Sequence, residues 1–203
     1  MKRYCVVNTR AVHQQAALTD LCLDHGWDVL AFPCIGVELT NTTKLCDHLA
    51  APDLSYAWLV LTSSNAVDAI AVATENRPLL LPRIACVGAA TAVYAEERLG
   101  VRATFIPTVA TGSALAQQLP TNAGERILLP QSAIASHETA AILHSRGVVV
   151  DVISAYSVSA GSGGGNVPDA IRAGQIDAVM VTSPSALDGF LTRMEAAGVP
   201  YAS

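Results

Sequence analysis

WLVLTSSNAVDAI (Trp58–Ile70) and AVMVTSPSALDGF (Ala178–Phe190) are two versions of one design. Each runs from a short apolar stretch, read as a strand, through Thr-Ser into a helix-starting residue and an apolar tail at helical spacing. Thr62 and Thr182 lie 120 positions apart, and Gly26 and Gly147, each read as a helix stop, lie 121 apart. At that offset CVVNTR (5–10) falls on RILLPQ (126–131), and DVLAFPCIGV (28–37) on VVDVISAYSV (149–158). The chain therefore reads as two diverged copies of one α/β unit. A period this long implies two lobes and not a solenoid of short repeats.

Working outward, apolar β-branched runs alternate with helical patterns. Strands are expected at YCVVNT, DVLAFP, Trp58–Thr62, RIACVG, RILLP, VVVDVISAY and DAVMVT. Helices are expected over Ala11–His25, Asn65–Thr74, Thr91–Arg98, His137–Arg146 and Ser185–Ala196. Strands without polar alternation, each followed by a helix, predict α/β lobes whose parallel sheets are flanked by helices. The copies suggest chain crossings at Cys34–Leu39 and Tyr156–Ser159, and the Gly/Ser-rich SAGSGGGNVP that follows reads as a flexible loop. The expected organisation is a discontinuous lobe (1–35 with 160–203), a continuous lobe (40–155), and linkers near 34–39 and 156–166. The segment Arg83–Thr108 has no counterpart, because its partner would begin near position 203. The second half of the discontinuous lobe is thus expected to be incomplete, the chain being truncated at its C-terminus, with a naturally shortened lobe as the alternative.

Composition narrows the function. Of the 203 residues 51% are hydrophobic and 14% charged, which describes a globular protein. A formal charge of -5 argues against a nucleic-acid partner, yet local donors can still hold an anionic small molecule. Five cysteines without a C-x-x-C, and no apolar leader, suggest a reduced cytoplasmic protein. Cys5 and Cys34, within apolar runs, read as core residues. No run of about 20 apolar residues predicts a membrane span. The histidines show no zinc spacing, so no metal is expected.

Chemistry is expected at the carboxyl ends of the strands, where open parallel sheets bind ligands. Three turns lie there: Thr62-Ser63-Ser64-Asn65, Gly88-Ala89-Ala90-Thr91 and Thr182-Ser183-Pro184-Ser185. Free N–H groups at a helix start attract anions, and Ser/Thr hydroxyls add donors. Each hydroxyl taken singly is also an ordinary helix cap. Gly88 would let the backbone approach a ligand closely, but no dinucleotide fingerprint or P-loop lysine accompanies it. Arg10, after the first strand, could meet an anion or a surface carboxylate. Tyr156, at the end of a strand beside a crossing, could donate a proton. Asp68 and Asp188 recur at matching places, where favourable interaction with the helix start suffices to explain them.

These pieces resemble, in order and spacing, the uroporphyrinogen-III synthase family. The similarity runs through VVNTR, DVLAFPCIGV, LVLTSSNAVDAI, IACVGAATA, GVRATFIPTVATGSALAQQL, ILLPQSAIASHETAAILHSRGVVVDVISAYSV and DAVMVTSPSALDGF. The resemblance implies two α/β lobes joined by a two-stranded linker, with a ligand cleft between them. It implies a lyase of haem and other tetrapyrrole biosynthesis that cyclises hydroxymethylbilane with inversion of ring D and loss of water, without a cofactor. It implies that Tyr156 assists departure of the hydroxyl, and that Thr62, Ser63, Ser64, Thr91, Thr182, Ser183 and Ser185 bind the substrate; Gly88 and Arg10 join the expected substrate-binding set from the residue reading above. Ser64 stands where the family usually has proline, and a Gly-Pro-x-Thr segment of the second lobe is absent. The expected partners are the bilane and, transiently, hydroxymethylbilane synthase, the protein itself being a monomer. The competing expectation is a non-catalytic, two-lobed binder of anionic small molecules.

Overall fold

The computed structural model describes residues 3–51, 55–75, 77 and 80–199. Among these residues eight strands and eight α-helices follow one another: β1 Cys5–Asn8, α1 Ala16–Asp24, β2 Asp28–Ala31, β3 Ile35–Leu39, α2 Thr42–Ala50, β4 Tyr56–Leu61, α3 Ser64–Thr74, β5 Arg83–Cys86, α4 Ala89–Leu99, α5 Gly112–Gln118, β6 Arg126–Ser132, α6 Glu138–Ser145, β7 Val149–Ala160, α7 Val167–Arg172, β8 Ala178–Met180 and α8 Pro184–Ala196. The chain forms two compact units. One contains the described residues up to Val37 and from Val158 onward; the other is Glu38–Ser157. Both crossings fall inside strands, in β3 and in β7, which are neighbours in one sheet.

The continuous unit carries the order β3-β7-β6-β4-β5, and the other unit β2-β1-β8. The pairs β1–β2, β1–β8, β4–β5, β4–β6 and β6–β7 are all parallel. The internal repeat explains the resemblance between the sheets. At the observed offset β1 corresponds to β6, β2 to β7 and β8 to β4, so β2-β1-β8 is the same arrangement as β7-β6-β4.

In the continuous unit, strand alternation sorts the core into two layers. Trp58, Val60, Ala85, Ile127, Leu129 and Val150 pack with Leu115, Ala116 and Leu119 around α5, and with Ala140 and Leu143 of α6. Leu59, Leu61, Ile84 and Leu128, fully or almost fully buried, alternate with them and point to the other face. That face is covered by α3, which packs with α2 and α4. Asp68 of α3 has a stronger reason to be there than the helix end. It is 5% exposed, accepts a hydrogen bond from the Tyr94 hydroxyl at 2.7 Å, and lies 3.5 Å from Arg98 Nε, tying α3 to α4.

At the amino ends of the same strands, Tyr56 OH donates to Asp151 Oδ2 at 2.7 Å, and Arg126 donates to the same oxygen at 2.8 Å. His48 Nδ1 lies 2.7 Å from the tyrosine oxygen. Burial pushes the Asp151 carboxyl up, but the hydrogen bonds from Tyr56 and Arg126 outweigh it and hold it below its ordinary value. Burial, followed by the bond to Asp151, raises the Tyr56 phenol.

The other unit is built on Val7, Phe32, Cys34, Val167, Met194 and Val199. The Arg193 guanidinium of α8 lies 3.5 Å from the centre of the Phe32 ring and donates to Pro33 O at 2.6 Å and Gly163 O at 2.8 Å. The glycine-rich stretch read as a flexible loop is held by this contact and by two more: Gly161 N donates to Cys34 O at 3.1 Å, and Gly165 N to Ala31 O at 2.8 Å. Its glycines serve close approach. A Cβ on Gly161 would strike Pro33 O, and one on Gly164 would strike Ala31 O.

Three other expectations change. The first helix starts at Ala16, because Val12–Gln14 forms a separate 3-10 turn before it. The helices α2, α5 and α7 are additions to the expected set: each begins after a polar residue, and α5 and α7, at 7 and 6 residues, are too short for a sustained periodic signal. Cys5 is half-buried, whereas Cys34 is a core residue.

Two outcomes follow for stability. Gly161→Ala or Gly164→Ala should lower the unfolding free energy by about 2 kcal/mol or more, because backbone blocks the new methyl. Gly163→Ala, with φ +74° and open space around it, should lose only about 1 kcal/mol; urea titrations compare them. Asp151→Asn should destabilise by about 1 kcal/mol near neutrality, a figure kept small because the pair is partly exposed. A carboxyl held below its ordinary value stabilises above the unfolded pKa, and that contribution is lost as pH falls through the folded value. The difference between Asp151→Asn and the parent should therefore hold from pH 8 to 5 and shrink below about pH 4.

Candidate functional site

Parallel pairing brings the carboxyl ends of β7, β6, β4 and β5 to one edge of the continuous unit. The chain leaves β4 toward β5 on one side, while β6 pairs on the other, so the strand order reverses between β4 and β6. A reversal of this kind opens a crevice at the strand ends. Thr62, Ser63 and Ser64 flank it. Ser63 caps α3: its backbone is extended and its Oγ accepts from Ala66 N at 3.1 Å. Gly88 caps α4 in the neighbouring turn, and Thr91 sits in the first turn of that helix. Gly88 also has a packing reason, since a Cβ there would come 3.1 Å from the Ala110 methyl.

Tyr156 reaches this edge through a β-bulge. Along β6 and β7 the register pairs Gln131 with Ser154 and Ser132 with Tyr156, so Ala155 is an extra residue. Side chains alternate along a strand, and one inserted residue moves the next side chain to the other face. The insertion turns Tyr156 toward the α3 layer. The displaced backbone remains satisfied: Thr40 N donates to Ala155 O at 2.8 Å, and Ala133 N to Tyr156 O at 2.9 Å. The tyrosine is 6% exposed, and its hydroxyl lies 2.9 Å from Ser63 Oγ. Two residues 93 positions apart, both named from the sequence, thus meet directly over the end of β6.

The second set belongs to the β2-β1-β8 sheet, whose order reverses between β1 and β8. Arg10 follows β1; Thr182 and Ser183 follow β8. Asn8 shapes the turn after β1: its Oδ1 accepts from Arg10 N at 3.2 Å, and its Nδ2 donates to Gln15 O at 3.2 Å. Thr9 Oγ1 donates to Met180 O at 2.7 Å, tying the end of β1 to β8. Arg10 is half-buried, and its Nε has no hydrogen-bond partner. Ser183 caps α8, accepting from Ala186 N at 3.1 Å, while Thr182 and Ser185 are exposed. Asp188, the repeat counterpart of Asp68, is exposed.

The sequence reading passed over Gln131, Ser132, Asn8 and Thr9. Gln131 is 6% exposed at the end of β6, in the strand next to the Ser63 turn. The repeat held a signal for it, since the offset places Arg10 on Gln131. Burial raises the Cys34 and Cys86 thiols to about 11, which disfavours the thiolate at either position. Among the described residues, no cluster of His, Cys, Asp and Glu could hold a metal ion, and no helix is long and apolar enough to cross a membrane.

With that geometry fixed, comparison with known proteins decides the family. The family model described as uroporphyrinogen-III synthase HemD matches residues 16–203. The chain belongs to the uroporphyrinogen-III synthase family. It is 26% identical over 198 residues to the porphyrin biosynthesis protein HemD of Ruminiclostridium josui, covering 94% of this chain and 39% of that protein. It is 26% identical to the uroporphyrinogen-III synthase of Synechococcus elongatus (93% of this chain, 74% of that protein). It is 31% identical to the chloroplastic uroporphyrinogen-III synthase of Oryza sativa subsp. japonica (92% and 63%). The chain thus spans well under half of the first of these relatives. The fold matches crystal structures of uroporphyrinogen III synthases from Thermus thermophilus and Helicobacter pylori. The Thermus structure, a mutant, gives a TM-score of 0.58 at 17% identity, over 93% of this chain and 76% of that one. The Helicobacter structure gives 0.55 at 13% identity, over 94% and 78%. The α/β architecture expected of the synthase family, with helix-flanked parallel sheets, is the one observed.

Proposed function

We propose that this member of the synthase family is itself a uroporphyrinogen-III synthase, a lyase that converts hydroxymethylbilane to uroporphyrinogen III and water with inversion of ring D. The observation that carries this reading is the contact between Tyr156 and Ser63 at a strand-order reversal, in a chain of this family. The bilane is a flexible polycarboxylate that closes by itself to the uninverted isomer, so the enzyme must chiefly govern conformation. A site rich in hydroxyls and helix starts suits that task. In this reading Tyr156 donates a hydrogen bond to the departing hydroxyl of the substrate, and the C–O bond breaks as the same pyrrole gives up its N–H proton, so that hydroxyl and proton leave together as water and the azafulvene is neutral. The azafulvene left behind is attacked by the substituted carbon of ring D, and the resulting spiro intermediate fragments and recloses inverted.

Thr62, Ser64, Thr91 and the amides at the starts of α3 and α4 would hold acetate and propionate groups. Arg10, Thr182, Ser183 and Ser185 would do the same from their own unit, Arg10 as the cation. The five free cysteines favour a reducing compartment such as the cytoplasm.

The assay is direct. Incubated with hydroxymethylbilane, the protein should give uroporphyrinogen III in excess over an enzyme-free control; an isomer mixture equal to the control would reject the reading. Bilane binding without isomer control would leave a binding module. Tyr156→Phe should slow formation of the inverted isomer on the order of 100-fold, with little change in melting temperature.

A further inference from the structure

The hydroxyl of Ser63 is shared between two partners. It accepts the Ala66 amide hydrogen at 3.1 Å and stands 2.9 Å from the Tyr156 hydroxyl. A serine hydroxyl has one hydrogen to give and can accept two. We infer that Ser63 gives its hydrogen to the Tyr156 oxygen, and is a positioning residue that acts through Tyr156 and does not itself hold substrate. The inference deepens the synthase reading above and rests on it.

The direction of the bond decides what Tyr156 can do. Were Tyr156 the donor, its only hydrogen would be spent on Ser63 and none would remain for a departing hydroxyl. With Ser63 as donor, Ala66 N–H, Ser63 O–H and Tyr156 O–H form one chain, and each link polarises the next. The chain starts at the positive end of α3. Its far end is a phenolic hydrogen whose oxygen is already anchored. The bulge at Ala155 and the burial of the ring restrict the tyrosine's rotation, so the serine need fix only the hydroxyl torsion. The arrangement also accounts for a buried tyrosine at this edge with, among the described residues, no carboxylate or cation bonded to its hydroxyl.

The test separates positioning from capping and from substrate binding. Ser63 has an extended backbone (φ −162°) that glycine adopts freely, and glycine is a tolerated cap, so Ser63→Gly removes the hydroxyl with little harm to the helix. Ser63→Ala serves as a second deletion, and Ser63→Thr keeps a hydroxyl in place. The first readout is the Cζ resonance of Tyr156 in protein labelled with 13C-tyrosine, assigned by its loss in Tyr156→Phe. It should move in Ser63→Gly and Ser63→Ala and stay in Ser63→Thr.

The second readout is the rate of uroporphyrinogen III formation. Ser63→Gly should slow it about 10-fold at saturating bilane with KM changed less than about threefold. Ser63→Thr should recover most of the rate. Adding Ser63→Gly to Tyr156→Phe should cost nothing further. Multiplying effects in the double variant, or a loss expressed in KM alone, would overturn the inference in favour of direct substrate contact. A parent protein that makes no inverted isomer would overturn the synthase reading by itself. The resonance then decides the remaining point: an unmoved Tyr156 signal in Ser63→Gly and Ser63→Ala overturns the Ser63 bond, and a moved one upholds it.

Discussion

Everything at the candidate site depends on parallel strand pairing. Strands that run the same way must finish at the same edge, and the chain must return through a helix each time. Helix starts therefore collect wherever strand ends collect. In the continuous unit this puts the caps of α3 and α4 at the same edge of the sheet as the ends of β6 and β7. In the other unit it puts the cap of α8 next to the turn after β1. Ser63 and Tyr156, 93 positions apart, become neighbours without any local sequence motif.

Capping and chemistry share atoms at these edges. Ser63 and Ser183 each accept an amide hydrogen of their own helix, so each stabilises the fold whatever else it does. The difference lies in the second partner. Ser63 meets Tyr156, and the meeting requires Ala155 to be extra in the β6–β7 pair. The polar network of Asp151, Tyr56, Arg126 and His48 sits at the amino ends of the strands, away from this contact, where it ties β4, β6 and β7 to α2.

The unit built around β1 shows how strongly packing can reverse a compositional reading. A run of glycines and serines usually signals a pliant connection. Here Arg193 and the backbone of Ala31–Cys34 grip it, and two of its glycines are needed because there is no room for a side chain. Arg193 spends its charge on the Phe32 ring and two carbonyls, so it anchors the segment and does not offer an anion site.

The amino-acid sequence alone determined the alternation of strand and helix, the internal duplication and the turns that carry hydroxyls. Hydrophobic period, helix-stopping glycines and capping residues are local properties, and the repeat doubled each signal. The same offset carried over to strand order, because homologous segments fold into the same neighbours. Only the tertiary structure decided that Tyr156 faces α3, since a bulge is a mismatch between two strands and neither strand encodes it by itself. It also decided that Asp68 is a buried link to α4, that Gln131 sits at the end of β6, and that the glycine-rich stretch is packed. Each of these depends on what lies across a layer from the residue, which local chain propensities do not register.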